Sequence, residues 1–167
     1  MAKDDGWLIA AEMLKLGVEI SVAPVIDLDF GRSTVIGDRA IHRDPEVVIK
    51  IASAYIAGMT EAGMSSTGKH FPGHGWVEAD SHVSIPSDDR KKEAIFSEDI
   101  KPFSALAKQL NGIMPAHIIY HEIDEKPAGF SSYWLQDILR KELGFNGVIF
   151  SDVLSMEGSS VAGNYSE

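Results

Sequence analysis

The sequence of 167 residues contains no cysteine, which excludes disulfides, thiolate metal sites and a cysteine nucleophile. This absence is what we expect of a protein in the reducing cytoplasm. Positive charge is also scarce, because 15 Lys and Arg face 25 Asp and Glu and leave a formal net charge of −10. Such an acidic balance argues against nucleic acid or an anionic membrane as a partner. No apolar run approaches the roughly 20 residues that span a bilayer, and the first residues are polar rather than signal-like.

What the sequence does contain is one pattern that occurs four times: an amphipathic stretch, a glycine, and a short apolar run that ends in polar residues. The pattern predicts helices at 7–16, 45–62, 97–110 and 132–143, and strands at 18–28, 64–70, 113–119 and 147–151. Asp44 and Pro45 are typical of an N-cap and a first helical position. Gly63 and Gly144 are typical of helix ends.

Strands that alternate with helices and are apolar on both faces predict a parallel sheet covered by helices. Polar residues lie at the C-terminal end of each predicted strand or just after it: Asp27 and Asp29, Lys69 and His70, His117 and His121, and Asp152. Because carboxyl ends of parallel strands meet at one face, this pattern favours a TIM (β/α)8 barrel over an open sheet with a single switch point. Eight βα units usually take about 250 residues. We therefore expect this chain to cover about half of a barrel, and its two open edges to need missing barrel segments or self-association.

The loop after the second predicted strand is rich in glycine and histidine and carries the most informative residues. His82 can transfer protons near neutral pH, and Asp80 can accept a hydrogen bond from its ring and fix the tautomer. The alternative is that Asp80 and His82 are ordinary residues of a solvated loop. Lys69 and His70, at the strand end, can bind a sugar hydroxyl or an anion, or can be a buried histidine beside a lysine that reaches solvent.

Two further residues are candidates by position. Asp152 follows an apolar strand, where a carboxylate can act as a nucleophile, a general base or a metal ligand, or can simply cap the next helix. Arg39 lies in the loop after the first strand and can make a bidentate contact with a ligand, or a surface ion pair with Asp38.

Six histidines allow a metal site as an alternative. A metal-dependent barrel hydrolase would use His70, His82, His117 and Asp152. Although His70 and His74 have i, i+4 spacing, Pro72 interrupts any helix there, and no compact zinc motif is present. We therefore expect neither a metal nor another cofactor. A further alternative is a barrel fragment that has no catalytic role and acts as an assembly partner.

The motifs of this chain together resemble the bacterial β-N-acetylglucosaminidases of glycoside hydrolase family 3, over essentially its whole length. They are Ala23-Pro24-Val25-Ile26-Asp27, Ile36-Gly37-Asp38-Arg39, Lys69-His70-Phe71-Pro72-Gly73-His74-Gly75, Asp80-Ser81-His82, Met114-Pro115-Ala116-His117, and the run from Phe150 to Gly158. The third and fourth of these strings are the most specific.

The resemblance implies a retaining glycosidase that removes terminal β-linked N-acetylglucosamine, with Asp152 as nucleophile and His82 with Asp80 as the acid–base pair. Arg39, Lys69 and His70 match the sugar-binding positions. The resemblance also implies a cytoplasmic role in peptidoglycan recycling on muropeptides. Residues 1–167 would then be part of the catalytic domain, holding strands 3 to 6 of the barrel. Val153 stands where the family usually has a second aspartate, and the isolated chain is predicted to be weakly active or inactive.

Overall fold

A computed structural model of the chain describes residues 1–78 and 86–153. Its helices are α1 Ala2–Lys15, α2 Pro45–Ala62, α3 Lys92–Ser97, α4 Ile100–Leu106 and a π-helix, Tyr133–Glu142, with 3₁₀ turns at Gly37–Arg39 and Ala128–Phe130. Its strands are β1 Ile20–Ser21, β2 Ser65–Phe71, β3 Ser87–Asp88, β4 Gly112–Pro115, β5 Ile119–Tyr120 and β6 Val148–Ile149. Every helix within the described ranges is too short or too polar to cross a membrane.

Four strands form one parallel sheet in the order β1-β2-β4-β6. Helix α2 connects β1 to β2, helices α3 and α4 lie between β2 and β4, and the π-helix precedes β6. Strands that are neighbours in space therefore also follow one another in this sheet along the chain, each after a helical connection. The predicted parallel sheet with covering helices is confirmed. Strands β3 and β5 form a second, two-stranded parallel sheet that the sequence pattern did not predict.

The core lies between the four-stranded sheet and its helices. Aromatic side chains dominate its centre, where Trp134 from the π-helix meets Phe71 of β2 and Tyr120 of β5 at ring-centroid distances of 5.9 and 5.2 Å. Phe71 also contacts Phe103 of α4 edge-to-face at 5.3 Å. These large rings, all fully buried, hold the sheet and helices in fixed relative positions and so fix the strand ends that carry the polar residues.

Helix α2 follows its local sequence signals. The Asp44 side chain accepts a hydrogen bond from the Glu46 N–H at 2.9 Å, and Pro45 occupies the first turn. Gly63 ends the helix with φ of 96°, a conformation that favours glycine. The predicted helix 45–62 and both of its caps are confirmed.

The first predicted strand, 18–28, is too long, because regular pairing is confined to Ile20–Ser21. Pro24 has no N–H to donate to a ladder and interrupts the strand. The backbone nevertheless stays beside β2, since the Thr67 N–H donates to the Ala23 carbonyl at 2.9 Å.

Two further expectations are corrected in the same region of the chain. The predicted strand 113–119 is divided, because β4 ends at Pro115 and the following residues turn away to form β5. The predicted helix 97–110 is too long, because only α4, Ile100–Leu106, lies within it, and a separate helix, α3, precedes it at Lys92–Ser97. The helix predicted at 132–143 has the right extent but π geometry, and Ser131 rather than Ser132 accepts the hydrogen bond from the Trp134 N–H.

Candidate active site

The candidate site begins at the carboxyl end of β2. Strand β2 pairs with β4, and its register shifts between Lys69 and Phe71. Irregularities of this kind re-aim side chains at the rims of barrels. His70 lies within this irregular segment and is 6% exposed, whereas Lys69 is half-buried.

Asp27, which follows β1, holds His70 in place. The His70 Nδ1 lies 2.7 Å from Asp27 Oδ2, and the His70 backbone N–H donates to the same carboxylate at 3.1 Å. The backbone N–H of His74 donates to Asp27 Oδ1 at 2.7 Å. Burial raises the pKa of Asp27, but His70 and these N–H groups outweigh it and hold the pKa below its usual 3.8. Because the ionised carboxylate only accepts, Nδ1 of His70 carries a proton, and Nε2 is the ring nitrogen left to meet a ligand.

Three charged side chains from other parts of the chain act on Lys69. Burial lowers the pKa of Lys69 and the charge of Arg39 lowers it further, whereas the charges of Asp152 and Asp27 raise it. Arg39 comes from the loop after β1 and Asp152 follows β6, so the fold brings together side chains that are far apart in sequence. Two cations and two anions therefore surround the end of β2.

Arg39 bonds to a backbone carbonyl and not to Asp38, the ion-pair partner that the sequence suggests. Its Nε and Nη2 donate to the Val35 carbonyl at 3.2 and 2.7 Å, which steadies the side chain without neutralising its charge. The Asp152 carboxylate is partly exposed and accepts from the N–H of Val153 at 2.8 Å. Within residues 1–78 and 86–153 neither Arg39 nor Asp152 forms an ion pair, so both charges can act on a ligand at the carboxyl face of the sheet.

Two buried histidines line the same region. Both ring nitrogens of His74 and of His117 lack a hydrogen-bond partner among the described residues. Burial lowers the pKa of His74 and of His117, while the charge of Asp152 raises the pKa of each. The His117 ring stacks on Phe130 at 5.2 Å, and a Cβ at Gly129 would lie 3.1 Å from its Nδ1. The site is thus flanked by two buried rings whose nitrogens have no hydrogen-bond partner within the described ranges.

The predicted acid–base pair, Asp80 and His82, lies outside the described residues. The chain on either side of it is described. Trp76 packs edge-to-face on Phe30 at 5.2 Å before residue 79, and after residue 85 the buried Asp88 pairs with Arg90, whose side chain is 10% exposed. Of the other predicted site residues, Lys69, His70, Arg39 and Asp152 share one face of the sheet, as their common position after parallel strands predicts.

Three residues have a larger part in this geometry than the sequence reasoning gave them. Asp27 and His117 stand out in the sequence as polar residues after strands, but no role was assigned to Asp27, and His117 entered only the metal alternative. Arg90, in an Asp-Asp-Arg string that resembles ordinary surface, was missed. For Asp27 the available signal is its place in the Ala-Pro-Val-Ile-Asp motif.

The described residues contain no group of three or more His, Asp or Glu placed to hold a metal ion. The metal-dependent alternative also names His82, which the described ranges do not include. A chelator control on activity therefore remains the experiment that tests that alternative.

A profile of the glycosyl hydrolase family 3 N terminal domain matches residues 1–167. The chain belongs to glycosyl hydrolase family 3. Membership confirms the resemblance and the predicted fold class: the sequential parallel strands are a portion of that family's TIM-like barrel.

Relatives of this family 3 chain carry informative names. A protein named Beta-hexosaminidase from Idiomarina loihiensis is 60% identical over 163 residues, which are 98% of this chain and 49% of that protein. Native NagZ from Neisseria gonorrhoeae superposes with a TM-score of 0.89 at 47% identity, over 93% of this chain and 45% of that one. NagZ from the same organism in complex with N-trifluoroacetyl-D-glucosamine superposes with a TM-score of 0.90 at 45% identity, over 98% and 47%. The chain thus spans about half the length of the curated relatives that it matches.

Proposed function

We propose that a full-length protein containing this chain is a retaining β-N-acetylglucosaminidase. The observation that carries the proposal is the convergence of Lys69, Arg39 and Asp152 beside a histidine whose tautomer Asp27 fixes. The names of the relatives and the glucosamine derivative bound to one structural neighbour support the choice of sugar.

The groups beside β2 suit a sugar hydroxyl, which both donates and accepts hydrogen bonds. The Lys69 ammonium only donates, and the free Nε2 of His70 accepts when Nδ1 is protonated. A hydroxyl placed between them satisfies both residues. Arg39 supplies a planar set of donors for a neighbouring oxygen. In this arrangement the three side chains orient the sugar, and orientation supplies a large part of the rate.

Asp152 is the proposed nucleophile. A carboxylate oxygen of Asp152 bonds to the anomeric carbon while the bond from that carbon to the leaving oxygen breaks. The position of Asp152 after β6, at the carboxyl face of the sheet, is the usual position of barrel catalytic groups.

His82 is the proposed acid and base, with Asp80 orienting its ring. The imidazolium gives its proton to the leaving oxygen in the first step. In the second step the neutral imidazole takes a proton from water, whose oxygen displaces Asp152 from the anomeric carbon. Two displacements at one carbon leave the product with the configuration of the substrate.

The experiment is hydrolysis of a chromogenic β-N-acetylglucosaminide by the full-length protein, followed by proton NMR of the first product formed. The proposal requires the β-anomer, and an α-anomer would mean direct attack by water. The Asp152→Asn variant should lose activity on the order of 10³-fold or more. Asp137→Asn is the matched control, because Asp137 is a surface residue paired with Lys141 at 2.7 Å.

Muropeptides derived from peptidoglycan are the proposed natural substrates, and the cytoplasm is the proposed location. Comparing kcat/KM for a muropeptide with that for a chitin disaccharide tests the first. Fractionation of cells that express the full-length protein tests the second.

A further inference from the structure

His117 lies at the middle of the carboxyl face of the sheet, and the activity proposed above gives it no role. It follows β4, which has β2 on one side and β6 on the other. Lys69 and His70 lie at the end of β2, and Asp152 follows β6. His117 therefore belongs to the strand that separates the sugar-binding pair from the proposed nucleophile.

The pairing of β4 with β6 brings this histidine level with the proposed nucleophile. The two strands are parallel, and Ile113 lies opposite Ile149. The Phe150 N–H donates to the Ile113 carbonyl at 3.0 Å, so the two main chains stay together beyond the last paired residue. Continued at the same register, this pairing places Asp152 opposite Ala116, the residue that precedes the histidine.

The orientation of the His117 ring is fixed from two directions. The ring stacks on Phe130 with an angle of 12° between the ring planes. Its Nδ1 faces Gly129, where a Cβ would lie only 3.1 Å away. The Gly129 N–H in turn donates to the Ala116 carbonyl at 3.1 Å, which holds this turn against the end of β4. Nδ1 is thus directed at the turn, and Nε2 is the nitrogen left to meet another element.

The main chain of Asp152 is the acceptor nearest at hand. Both the charge of Asp152 and its main chain raise the pKa of His117, against the effect of burial. A main-chain group raises the pKa of an imidazole by accepting from it, so the group in question is the Asp152 carbonyl. The Ser151 hydroxyl donates to the same carbonyl at 2.8 Å, and a carbonyl oxygen can accept a second hydrogen bond.

A hydrogen bond from the ring to this carbonyl would also remove an energetic cost. Within residues 1–78 and 86–153 no atom completes a hydrogen bond of ordinary geometry with either nitrogen of His117. A buried polar group without a partner costs about 1 to 3 kcal/mol. A small closure of the ring onto the Asp152 carbonyl is therefore favourable.

We propose that His117 is a positioning residue for the nucleophile: its Nε2–H donates to the main-chain carbonyl of Asp152 and holds that residue where its carboxylate can reach the anomeric carbon. This inference rests on the proposed function. In this role His117 transfers no proton and acts on the reaction only through Asp152. Small displacements of a reacting group are costly, since a shift of about 1 Å can lower the rate by about 10²-fold.

The test measures the first displacement alone, as the rate at which a 5-fluoro N-acetylglucosaminyl fluoride inactivates the full-length protein. His117→Leu removes the donor and should lower kinact by about 10-fold or more. KI should stay within about 3-fold, because the residues that bind the sugar are unchanged. His117→Gln has a similar size but keeps an N–H donor near the place of Nε2, so its kinact should stay within about 3-fold of the unsubstituted protein.

His121→Leu is the matched control, because it makes the same change at an exposed histidine four positions further along the chain. It should alter neither kinact nor KI. Phe130→Leu keeps the His117 ring but removes the surface on which it stacks, and should lower kinact by a smaller factor than His117→Leu.

Three results would overturn the inference: an unchanged kinact in His117→Leu, equal losses in the Leu and Gln variants, or a loss confined to KI. If His117→Leu does not fold, an unchanged kinact in Phe130→Leu overturns it instead. Mapping the labelled peptide separates the two proposals. A label on a carboxylate other than Asp152 means that the proposed function fails at the nucleophile. A label on Asp152 that forms at the full rate in His117→Leu means that only the positioning role of His117 fails.

Discussion

At the scale of the residue, Asp27 is the side chain on which the geometry of the site depends most. It is 1% exposed and accepts from two backbone N–H groups and one imidazole. A buried carboxylate with this set of donors is favourable only while all of them are present, because an unpaired buried charge or donor is costly.

Asp27→Asn should therefore lower the free energy of unfolding by about 2 to 4 kcal/mol. The substitution replaces one carboxylate oxygen by an NH2 group, which cannot accept a hydrogen bond from the N–H donors that face it. Urea unfolding measures the change. Asp29→Asn is the control: its carboxylate is exposed and accepts from the Gly31 N–H, so we expect a change of about 0.5 kcal/mol or less. Equal effects of the two variants would contradict the role given to Asp27.

The two buried histidines make stability depend on pH. Burial lowers the pKa of His74 and of His117 below the ordinary 6.5, so between the folded and unfolded pKa values the unfolded chain binds more protons. Stability therefore falls as the pH falls below 6.5. Unfolding free energies at about pH 7.5 and about pH 5.5 measure the loss, which His117→Leu should reduce. His121→Leu, at an exposed position, should leave the pH dependence unchanged, and an unchanged dependence in both variants would contradict this explanation.

At the scale of the element, helices α1 and α2 cross at Gly6 and Gly58, where no side chain separates the two backbones. A Cβ at Gly58 would lie 1.9 Å from the Lys3 carbonyl, and one at Gly6 would lie 2.2 Å from the Tyr55 carbonyl. The backbones approach this closely because glycine removes the side chains from both surfaces.

This crossing reverses the usual effect of a glycine-to-alanine change in a helix. Alanine is ordinarily better than glycine by about 1 kcal/mol, but Gly58→Ala should destabilise the chain by about 2 kcal/mol or more, because the clash is with backbone that cannot move aside cheaply. Ala57→Gly, at the neighbouring exposed position, should cost about 1 kcal/mol. Thermal or urea unfolding compares them, and a stabilised Gly58→Ala variant would show that the helices do not cross here.

The elements also show which features a sequence can predict. Helix α2 is predictable at both ends because Asp44, Pro45 and Gly63 are local signals that act within one turn. The ends of β1 and β4 are harder to predict. Pro24 and Pro115 lie within apolar runs that suggest longer strands, but a proline has no N–H to donate and limits the strand pairing. The π geometry of Tyr133–Glu142 is not predictable from its periodicity, which fits an ordinary helix as well.

The candidate site also contains some residues that the sequence predicts and some contacts that only the fold reveals. Lys69, His70 and Asp152 can be proposed from the sequence because each lies at or just after the end of an apolar strand, in a distinctive motif. The partnership of Asp27 with His70 joins residues 43 positions apart, and only the parallel pairing of the strands reveals it. Arg90 resembles a surface residue until the fold places two carboxylates and two aromatic rings around it.

At the scale of the whole molecule, the four-stranded sheet has β1 and β6 as its outer strands. Apolar side chains of α1, of the segment after β1 and of β6 remain exposed, among them Leu8 at 53%, Val22 at 51% and Val148 at 55%. The relatives are about twice as long, so their remaining residues are available to cover such surfaces.

We expect the isolated chain of residues 1–167 to be weakly active or inactive, because it spans only about half the length of its relatives and orientation by a complete site supplies much of the rate. A chromogenic β-N-acetylglucosaminide assay on the isolated chain and on the full-length protein compares them. Sedimentation of the isolated chain establishes whether it self-associates. Activity close to that of the full-length protein would contradict this expectation.

The measurement that tests the central claim most directly is trapping of the covalent intermediate. The full-length protein is incubated with a 5-fluoro N-acetylglucosaminyl reagent, digested, and mapped by mass spectrometry. The account predicts one glycosyl group on the peptide containing Asp152, and none after Asp152→Asn. A label on a different carboxylate, or time-dependent inactivation that survives the substitution, would contradict it.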